Sequence, residues 1–137
     1  MKHTFSSMNA PPPVGSYPHA KKVGNLLFLS GVGPRVRGSK QIPGVNLGPE
    51  GQVVSYDIEK QCVSVFNNIK QILNDSGSDW TKIVDVTVFL TNMKNDFETY
   101  NEVYAKYFSN TMPTRTTVEV NCLPTPIAIE LKVIATL

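Results

Sequence analysis

The order of helical and strand-like segments along the chain restricts the fold more than any other feature. Apolar residues recur at intervals of three and four in two segments, and at intervals of two in several others. The first helix is predicted to begin after Ser55 and to end at Gly77, and the second to begin near Asn95, with Glu98 placed as in a capping box. The predicted order is a hairpin, a helix, a strand, a helix and two strands, an α+β layout in which two helices cover one face of a mixed sheet.

A turn signal and a long irregular stretch precede the first helix. Gly24-Asn25 separates HAKKV from LLFLSGV and predicts a hairpin. Residues 33–48 are rich in Gly, Pro, Arg and Lys without a sustained period, which indicates a long loop or a ragged strand pair. Residues 1–14 are predicted to be an extended lead-in, because the prolines of PPPVG fix φ and lack N–H groups. Residues 15–137 have the length of a single domain.

Two opposite charges lie inside the last two predicted strands. Arg115 heads the alternating segment PTRTTVEV, and Glu130 lies within AIELKVIA. If the short connection 121–126 makes these strands neighbours, their apolar rows share a face and both charges project from the opposite face. An arginine fork suits bidentate binding of a carboxylate, and a glutamate can deprotonate a water beside it. The alternative, which spacing alone favours, is a cross-strand ion pair.

The predicted sheet has helices on one face only. An uncovered face of about six strands, much of it apolar, is unfavourable for a monomer in water. Self-association into a closed ring would bury these faces against one another. It would also bring Arg115 and Glu130 close to a boundary between subunits.

Charge and hydropathy restrict the class of partner. The net charge is +2, and the basic residues are scattered, with no run longer than Lys21-Lys22, so a nucleic acid is not the expected partner. The N-terminal stretch lacks the continuous apolar segment of a signal peptide, and no stretch has membrane-spanning length, which predicts a soluble cytoplasmic protein. Cys62 and Cys122 lack metal-ligand spacing and are predicted to be free thiols.

Several short motifs together resemble a known family. They are GSYPHA, LLFLSG, TVFLTNMKNDFETYNEVYAKYF, PTRTTVEV and IELKVIA, which extend over nearly the whole chain. The chain is similar in these motifs to the Rid (reactive intermediate deaminase) family, also called the YjgF-like family. Within that family, YPHA, SGVGPR, IPGV and NEVYAKYF resemble the 2-aminomuconate deaminases.

The resemblance implies a chorismate-mutase-like α+β fold, a homotrimer and active sites in the clefts between subunits, without cofactor or metal. Members of the family hydrolyse enamine or imine intermediates to a keto acid and ammonia. By position, Arg115 is expected to bind the substrate carboxylate and Glu130 to orient the attacking water. Tyr17, Ser30 and Asn101 are expected to complete the pocket.

Other positions bear on mechanism and specificity. Many relatives carry a cysteine two residues after the arginine, and this chain has Thr117, which excludes thiol chemistry there but leaves a hydroxyl that can bind substrate. A second substrate carboxylate would need another cation, which Arg35, Arg37 or His19 could supply. We include Arg35 among the predicted substrate-binding residues.

Each of these residues also has a purely structural interpretation. Tyr17 can pack at a strand start, Ser30 can satisfy a backbone group, Asn101 can face solvent, and Glu119 can neutralise Arg115. The aromatic stripe of the second helix is interpreted as core. Two other functions remain open at this point: a broad deaminase of the 2-aminoacrylate type, and a non-catalytic RNA-binding or protein-binding role as a translation inhibitor or chaperone.

Overall fold

Two α-helices lie on one face of a six-stranded sheet in the computed structural model, which describes residues 2–137. The strands are β1 (Thr4–Phe5), β2 (Ala20–Val23), β3 (Leu26–Leu29), β4 (Val45–Leu47), β5 (Val53–Tyr56), β6 (Ile83–Leu90), β7 (Thr114–Glu119) and β8 (Ile129–Thr136). The helices are α1 (Ile58–Asp75) and α2 (Met93–Phe108), and a 3-10 turn spans Trp80–Lys82. This arrangement confirms the predicted α+β fold with both helices on one face of a mixed sheet.

The strand order is β1-β2-β3-β8-β6-β7, and β4 pairs with β5 in a separate two-stranded sheet. Among the strands of residues 2–137, only β6 and β7 pair in parallel, and α2 provides the crossover connection that parallel neighbours need. β8 then pairs antiparallel with the other side of β6. The expectation that the last two strands are neighbours is therefore wrong, since β6 lies between them.

Both helices begin at residues other than those predicted. Asp57 is the N-cap of α1 and accepts a hydrogen bond from the Lys60 N–H, whereas Ser55 belongs to β5. Asn92 is the N-cap of α2, three residues before the predicted start at Asn95. Asp and Asn are as good at capping as Ser. The sequence pattern therefore predicts that a helix is present more accurately than it predicts the residue at which the helix begins.

The end of α1 follows the prediction. Gly77 has φ of +83°, a left-handed conformation that glycine adopts without steric cost. The Ser78 N–H donates to the Leu73 carbonyl at 2.9 Å across this glycine. This is the contact by which helices ending in a left-handed glycine satisfy their last carbonyls.

The hydrophobic core lies between the helices and the sheet. Removal of each large apolar side chain from water contributes about 1.5–3 kcal/mol. The fully buried members include Leu27, Leu29, Cys62, Val65, Ile69, Leu73, Val86, Val88, Leu90, Tyr100, Ile129, Leu131, Val133 and Ala135.

The opposite face of the sheet, which we call the open face, carries no helix. Strand register assigns to it Phe28, Thr87, Phe89, Thr116, Val118, Glu130, Lys132 and Ile134. Val118 is 38% exposed, and partly exposed apolar side chains lie beside charged and hydroxyl groups. A mixed surface of this kind is typical of a face that another protein surface covers.

The lead-in is packed against the domain. β1 adds a short edge strand to the sheet, and the following residues 7–13, which we call the N-terminal strap, lie against α1. Ser7 Oγ donates to Asp75 Oδ2 at 2.6 Å, and Ala10 is completely buried. Polar contacts and one apolar anchor thus fix a segment that its prolines alone would leave extended.

The irregular stretch 33–48 begins as an anchored loop and ends in a strand. Ser64 Oγ donates to the Pro34 carbonyl at 2.7 Å, which ties the start of the loop to α1. Its last residues form β4, which pairs with β5 outside this stretch, so most of residues 33–48 is the expected long loop and only its end is a strand.

Cys62 is buried and Cys122 is exposed, and both are free thiols, as predicted. Among residues 2–137, no cluster of His, Cys, Asp and Glu side chains could hold a metal ion. In the same part of the chain, neither helix combines the length and apolarity needed to cross a membrane.

Candidate active site

Arg115 lies on the helix side of the edge strand β7. Its partner in the register of β6 is Val86, whose side chain is buried beneath the helices. The guanidinium carbon is 4.7 Å from the ring centroid of Tyr104 and 5.4 Å from that of Tyr100. Nη1 donates to Asn101 Oδ1 at 2.8 Å. All these contacts come from α2, which therefore holds the guanidinium by cation–π attraction and a hydrogen bond.

The held guanidinium keeps most of its donors free. Within residues 2–137, the contact with Asn101 is the only hydrogen bond of the Arg115 side chain, which has five N–H donors. Thr117 Oγ1 lies 2.8 Å from the Tyr100 hydroxyl and braces the aromatic ring. We call Arg115 and the residues that hold it, which are Tyr100, Asn101, Tyr104 and Thr117, the arginine half-site. Its planar fork of donors can bind a carboxylate in two places at once.

Glu130 lines a cavity of about 360 Å³ on the other side of the sheet. This volume suits a small-molecule ligand. We call the polar and glycine part of its lining the glutamate half-site. It consists of Tyr17, Ser30, Gly31, Arg35, Glu130 and Lys132.

The Glu130 carboxylate lies directly against the backbone of Gly31. A Cβ atom added at Gly31 would come within 2.7 Å of Glu130 Oε2, so close approach requires glycine at this position. Burial raises the pKa of the Glu130 carboxyl above its ordinary value, and the positive charge of Arg35 opposes that rise. A carboxylate with a raised pKa is better matched to general base catalysis near neutral pH.

The two half-sites of one chain lie on opposite faces of the sheet. Arg115 is level with Val86 on β6, whereas Glu130 is level with Phe89, and residues an odd number apart in a strand point to opposite faces. The expectation that both charges project from one face is therefore wrong, because β7 turns its polar row toward α2. The same geometry excludes the alternative of a cross-strand ion pair.

Tyr17 and Ser30 lie in the glutamate half-site, where their hydroxyl groups contact the backbone. Ser30 Oγ donates to the Pro18 carbonyl at 2.7 Å. The Tyr17 hydroxyl accepts from the Val14 N–H at 3.2 Å, and this side chain is 40% exposed. The Ser30 hydroxyl thus satisfies a backbone group, as in its structural interpretation, while Tyr17 lines the cavity.

His19 and Arg37 hold the N-terminal strap and do not line the 360 Å³ cavity. His19 Nδ1 accepts from the Ser7 N–H at 2.8 Å, and Nε2 lies 2.7 Å from the Pro11 carbonyl. Arg37 Nη1 donates to the Ala10 carbonyl at 2.8 Å. Of the three cations considered for a second carboxylate, only Arg35 lines this cavity.

Two roles differ from the sequence interpretation. Glu119 Oε1 accepts from the Met93 N–H at 2.9 Å and stabilises the start of α2, so it does not neutralise Arg115. Tyr100 and Tyr104 are buried as expected for core residues, but their rings also support the arginine. Their spacing of four residues places both rings on one side of α2 and is compatible with either role.

A larger cavity of about 850 Å³ lies between the loop 33–48 and the β4–β5 hairpin. Lys40 and Lys60 line it, but neither Arg115 nor Glu130 does. By volume alone, this cavity would be the better candidate for the active site. The glutamate half-site has the more specific chemistry, because it places a carboxylate with a shifted pKa beside cations.

The chain is similar in sequence to known proteins over nearly its full length. Residues 7–137 match the family described as endoribonuclease L-PSP. A RutC family protein of Pyrococcus horikoshii is 42% identical, with 98% of each chain covered. The chloroplastic Reactive Intermediate Deaminase A of Arabidopsis thaliana is 40% identical, with 99% of this chain and 66% of that protein covered.

Solved structures share the fold. Escherichia coli TdcF with bound serine has a TM-score of 0.84 and 31% sequence identity, and the match covers 99% of both chains. The YjgF gene product of E. coli has a TM-score of 0.83 and 30% identity, with 98% of each chain covered.

Proposed function

The chain belongs to the endoribonuclease L-PSP family, which includes RutC and Rid (YjgF-like) proteins, and we propose that it is a hydrolytic deaminase of small enamine or imine carboxylic acids. The observation that carries this proposal is the Arg115 guanidinium, held by α2 with its carboxylate-binding donors free. The reactive intermediate deaminase of Arabidopsis supports the reaction class. The bound serine of TdcF supports a small carboxylic acid as ligand.

The complete site needs two copies of the chain. Arg115 and Glu130 of one copy point away from each other across the sheet, so a single copy cannot present both to one small molecule. A second copy packed on the open face can bring its arginine half-site to the glutamate half-site of the first. We propose a homotrimer, because a closed ring uses every half-site and covers every open face.

Hydrolysis then proceeds in a pocket that binds the substrate carboxylate on one side and positions the attacking water on the other. Arg115 of one subunit binds the substrate carboxylate, which orients the neighbouring C–N group. The enamine takes up a proton from solvent on its β-carbon and becomes a protonated imine. Glu130 of the adjacent subunit removes a proton from water as the oxygen attacks the imine carbon. The resulting amino alcohol loses ammonia, and the carbon is left as the keto group of the product.

The charges of the glutamate half-site suit this sequence of steps. A protonated imine is the better electrophile, and the negative Glu130 stabilises its positive charge. Gly31 leaves room for the carboxylate close to the backbone, because a side chain there would displace it.

We propose 2-aminomuconate as the specific substrate. The support is the sequence similarity to 2-aminomuconate deaminases in YPHA, SGVGPR, IPGV and NEVYAKYF. The alternative within the same reaction class is broad activity on enamines such as 2-aminoacrylate. Ammonia release from both compounds at equal concentration discriminates these possibilities.

Arg115→Ala tests the proposed reaction. Loss of the carboxylate contact should lower kcat/KM for deamination by about 100-fold or more, while the oligomer and the melting temperature stay close to wild type. Arg115→Lys should recover little, because an ammonium lacks the planar fork.

Arg37→Lys is the matched control, since its donors contact the backbone of the strap outside the cavity. It should change kcat/KM only a few-fold. Full turnover by Arg115→Ala would show that the carboxylate is bound elsewhere, and the proposal would have to be abandoned.

The family description as an endoribonuclease favours RNA cleavage as a second candidate. Scattered basic residues argue against an extended RNA path. RNA binding that weakens steeply with salt, together with RNA cleavage lost in Glu130→Gln, would support this second candidate.

A further inference from the structure

The glutamate half-site carries more positive charge than a monocarboxylate requires. Arg35 and Lys132 line the cavity with the single anion Glu130. In the proposed trimer the neighbouring Arg115 adds a third cation. Three cations against one anion leave an excess of two positive charges, which is complementary to a dianion.

Arg35 is the cation of this cavity whose hydrogen-bond donors are mostly unoccupied by other groups of residues 2–137. Ion pairing within residues 2–137 is confined to Lys82 and Asp79, so Arg35 stands near Glu130 without binding it. One donor, Nη2, contacts the Pro12 carbonyl at 2.9 Å. The other N–H groups of its guanidinium have no partner among the described residues, which leaves a fork for a carboxylate.

Hydrogen bonds hold the backbone around Arg35 in place. Asn68 Nδ2 donates to the Arg35 carbonyl at 2.6 Å and to the Gly33 carbonyl at 2.9 Å. Both contacts come from α1, and the Pro12 contact adds the N-terminal strap as a second support. A loop cation with this support loses less conformational entropy when it binds a ligand.

Lys132 is less suited to bind the same group. Its Nζ donates to the Leu29 carbonyl at 2.8 Å, and a single ammonium offers no planar fork. Lys132 therefore contributes charge to the cavity, whereas Arg35 contributes both charge and directional donors.

We infer that Arg35 binds a second carboxylate of the substrate, and that the enzyme selects dicarboxylic enamines or imines over monocarboxylic ones. This inference rests on the proposed function. The first carboxylate binds the Arg115 fork of one subunit, the reacting carbon lies at Glu130 of the next, and the distal carboxylate binds Arg35 beside that glutamate.

The test compares kcat/KM for ammonia release from 2-aminomuconate and from 2-aminoacrylate at one pH. Arg35→Gln should lower the ratio of the two values, dicarboxylate over monocarboxylate, by about 10- to 100-fold, mainly through KM for the dicarboxylate. Arg35 also influences the pKa of Glu130, and that effect changes kcat/KM for both substrates alike. The ratio of the two values therefore does not contain it. Arg35→Lys should fall between wild type and Arg35→Gln, because it keeps the charge and loses the fork.

Arg37→Gln is the matched control, since it removes a cation two residues away that contacts only the strap in this structure. Its ratio should equal that of wild type. An unchanged ratio in Arg35→Gln, or loss of the preference in Lys132→Met alone, would overturn the assignment to Arg35.

Ammonia release by the wild-type protein distinguishes a failure of this inference from a failure of the proposed function. Deamination of 2-aminoacrylate with no preference for 2-aminomuconate would contradict the inference and the proposed specific substrate, but it would leave the proposed reaction class, deamination of small enamine or imine acids, standing. Failure to release ammonia from either compound would contradict the proposed function itself.

Discussion

At the scale of single residues, hydrogen bonding separates the groups that can act on a ligand from those that hold the chain. Among residues 2–137, Arg115 and Arg35 each have one donor engaged and the rest of the guanidinium without a partner. Ser30 and His19 have the polar atoms of their side chains engaged with the backbone. Since a side chain has a fixed number of donors and acceptors, those already engaged are not available to substrate.

The pH dependence of deamination is a prediction at this scale. Glu130 must be ionised to act as a base, so kcat/KM should fall as the pH is lowered through its pKa. Burial raises that pKa, so the midpoint should lie above the value of about 4.3 for an exposed glutamate. Arg35→Gln removes the opposing charge and should move the midpoint to higher pH.

The measurement is the pH profile of kcat/KM for wild type, Arg35→Gln and Arg37→Gln. The Arg37 variant should keep the wild-type midpoint, because its guanidinium contacts the strap. A midpoint that does not respond to removal of Arg35 would argue that another group is the base.

At the scale of secondary-structure elements, the N-terminal strap connects the start of the chain to the cavity. Residues 7–13 contact α1 through Asp75, β2 through the neighbouring His19, and the long loop through Arg35 and Arg37. Arg35 is one of these contacts, through a single donor to the Pro12 carbonyl, so the strap extends to the edge of the glutamate half-site.

His19→Leu should release the strap. The His19 ring accepts from the Ser7 N–H and donates to the Pro11 carbonyl, both in buried contacts. Loss of both bonds leaves two backbone groups unsatisfied and should lower the free energy of unfolding by about 1–3 kcal/mol. Urea denaturation measures this change, and limited proteolysis should cut within the strap.

His3→Leu is the control, because the other histidine of the chain has an exposed side chain. It should leave the unfolding free energy within about 0.5 kcal/mol of wild type. Equal protease resistance of the strap in both variants would show that His19 is not what holds it.

At the scale of the whole molecule, the sheet separates the two halves of the proposed site. The helix side holds Arg115, and the open face holds Glu130. In the proposed trimer, function depends on how copies of the chain assemble, because assembly would both cover apolar side chains of the open face and join the half-sites.

Subunit complementation tests this dependence. Arg115→Ala and Glu130→Gln should each be nearly inactive alone. When they are unfolded and refolded together in equal amounts, roughly a quarter of the sites should combine an intact arginine half-site with an intact glutamate half-site. Ammonia release should then recover to that fraction of wild type.

The control is the same mixture combined without refolding, which should stay inactive until subunits exchange. A refolded mixture that contains mixed trimers but has no activity would mean that one chain supplies both groups. Sedimentation with one variant carrying a mass tag establishes that the mixed trimers are present.

The sequence by itself predicted the two helices, the main strands of the sheet and the candidate functional side chains. Periodicity gave the helices, the hairpin and the alternating strands, because local spacing decides which residues share a face. Five motifs distributed over nearly the whole chain predicted the family, and the family match over residues 7–137 confirms it. Helix starts were less certain, since Ser55, Asp57, Asn92 and Asn95 are all good N-cap residues.

Only the tertiary structure decided where those side chains point relative to one another. Strand order depends on the crossover through α2, a long-range arrangement that spacing within a segment does not encode. That order put β6 between the two charged strands and placed Arg115 and Glu130 on opposite faces. The availability of Arg35, and the engagement of His19 and Arg37, likewise depend on contacts between segments distant in the chain.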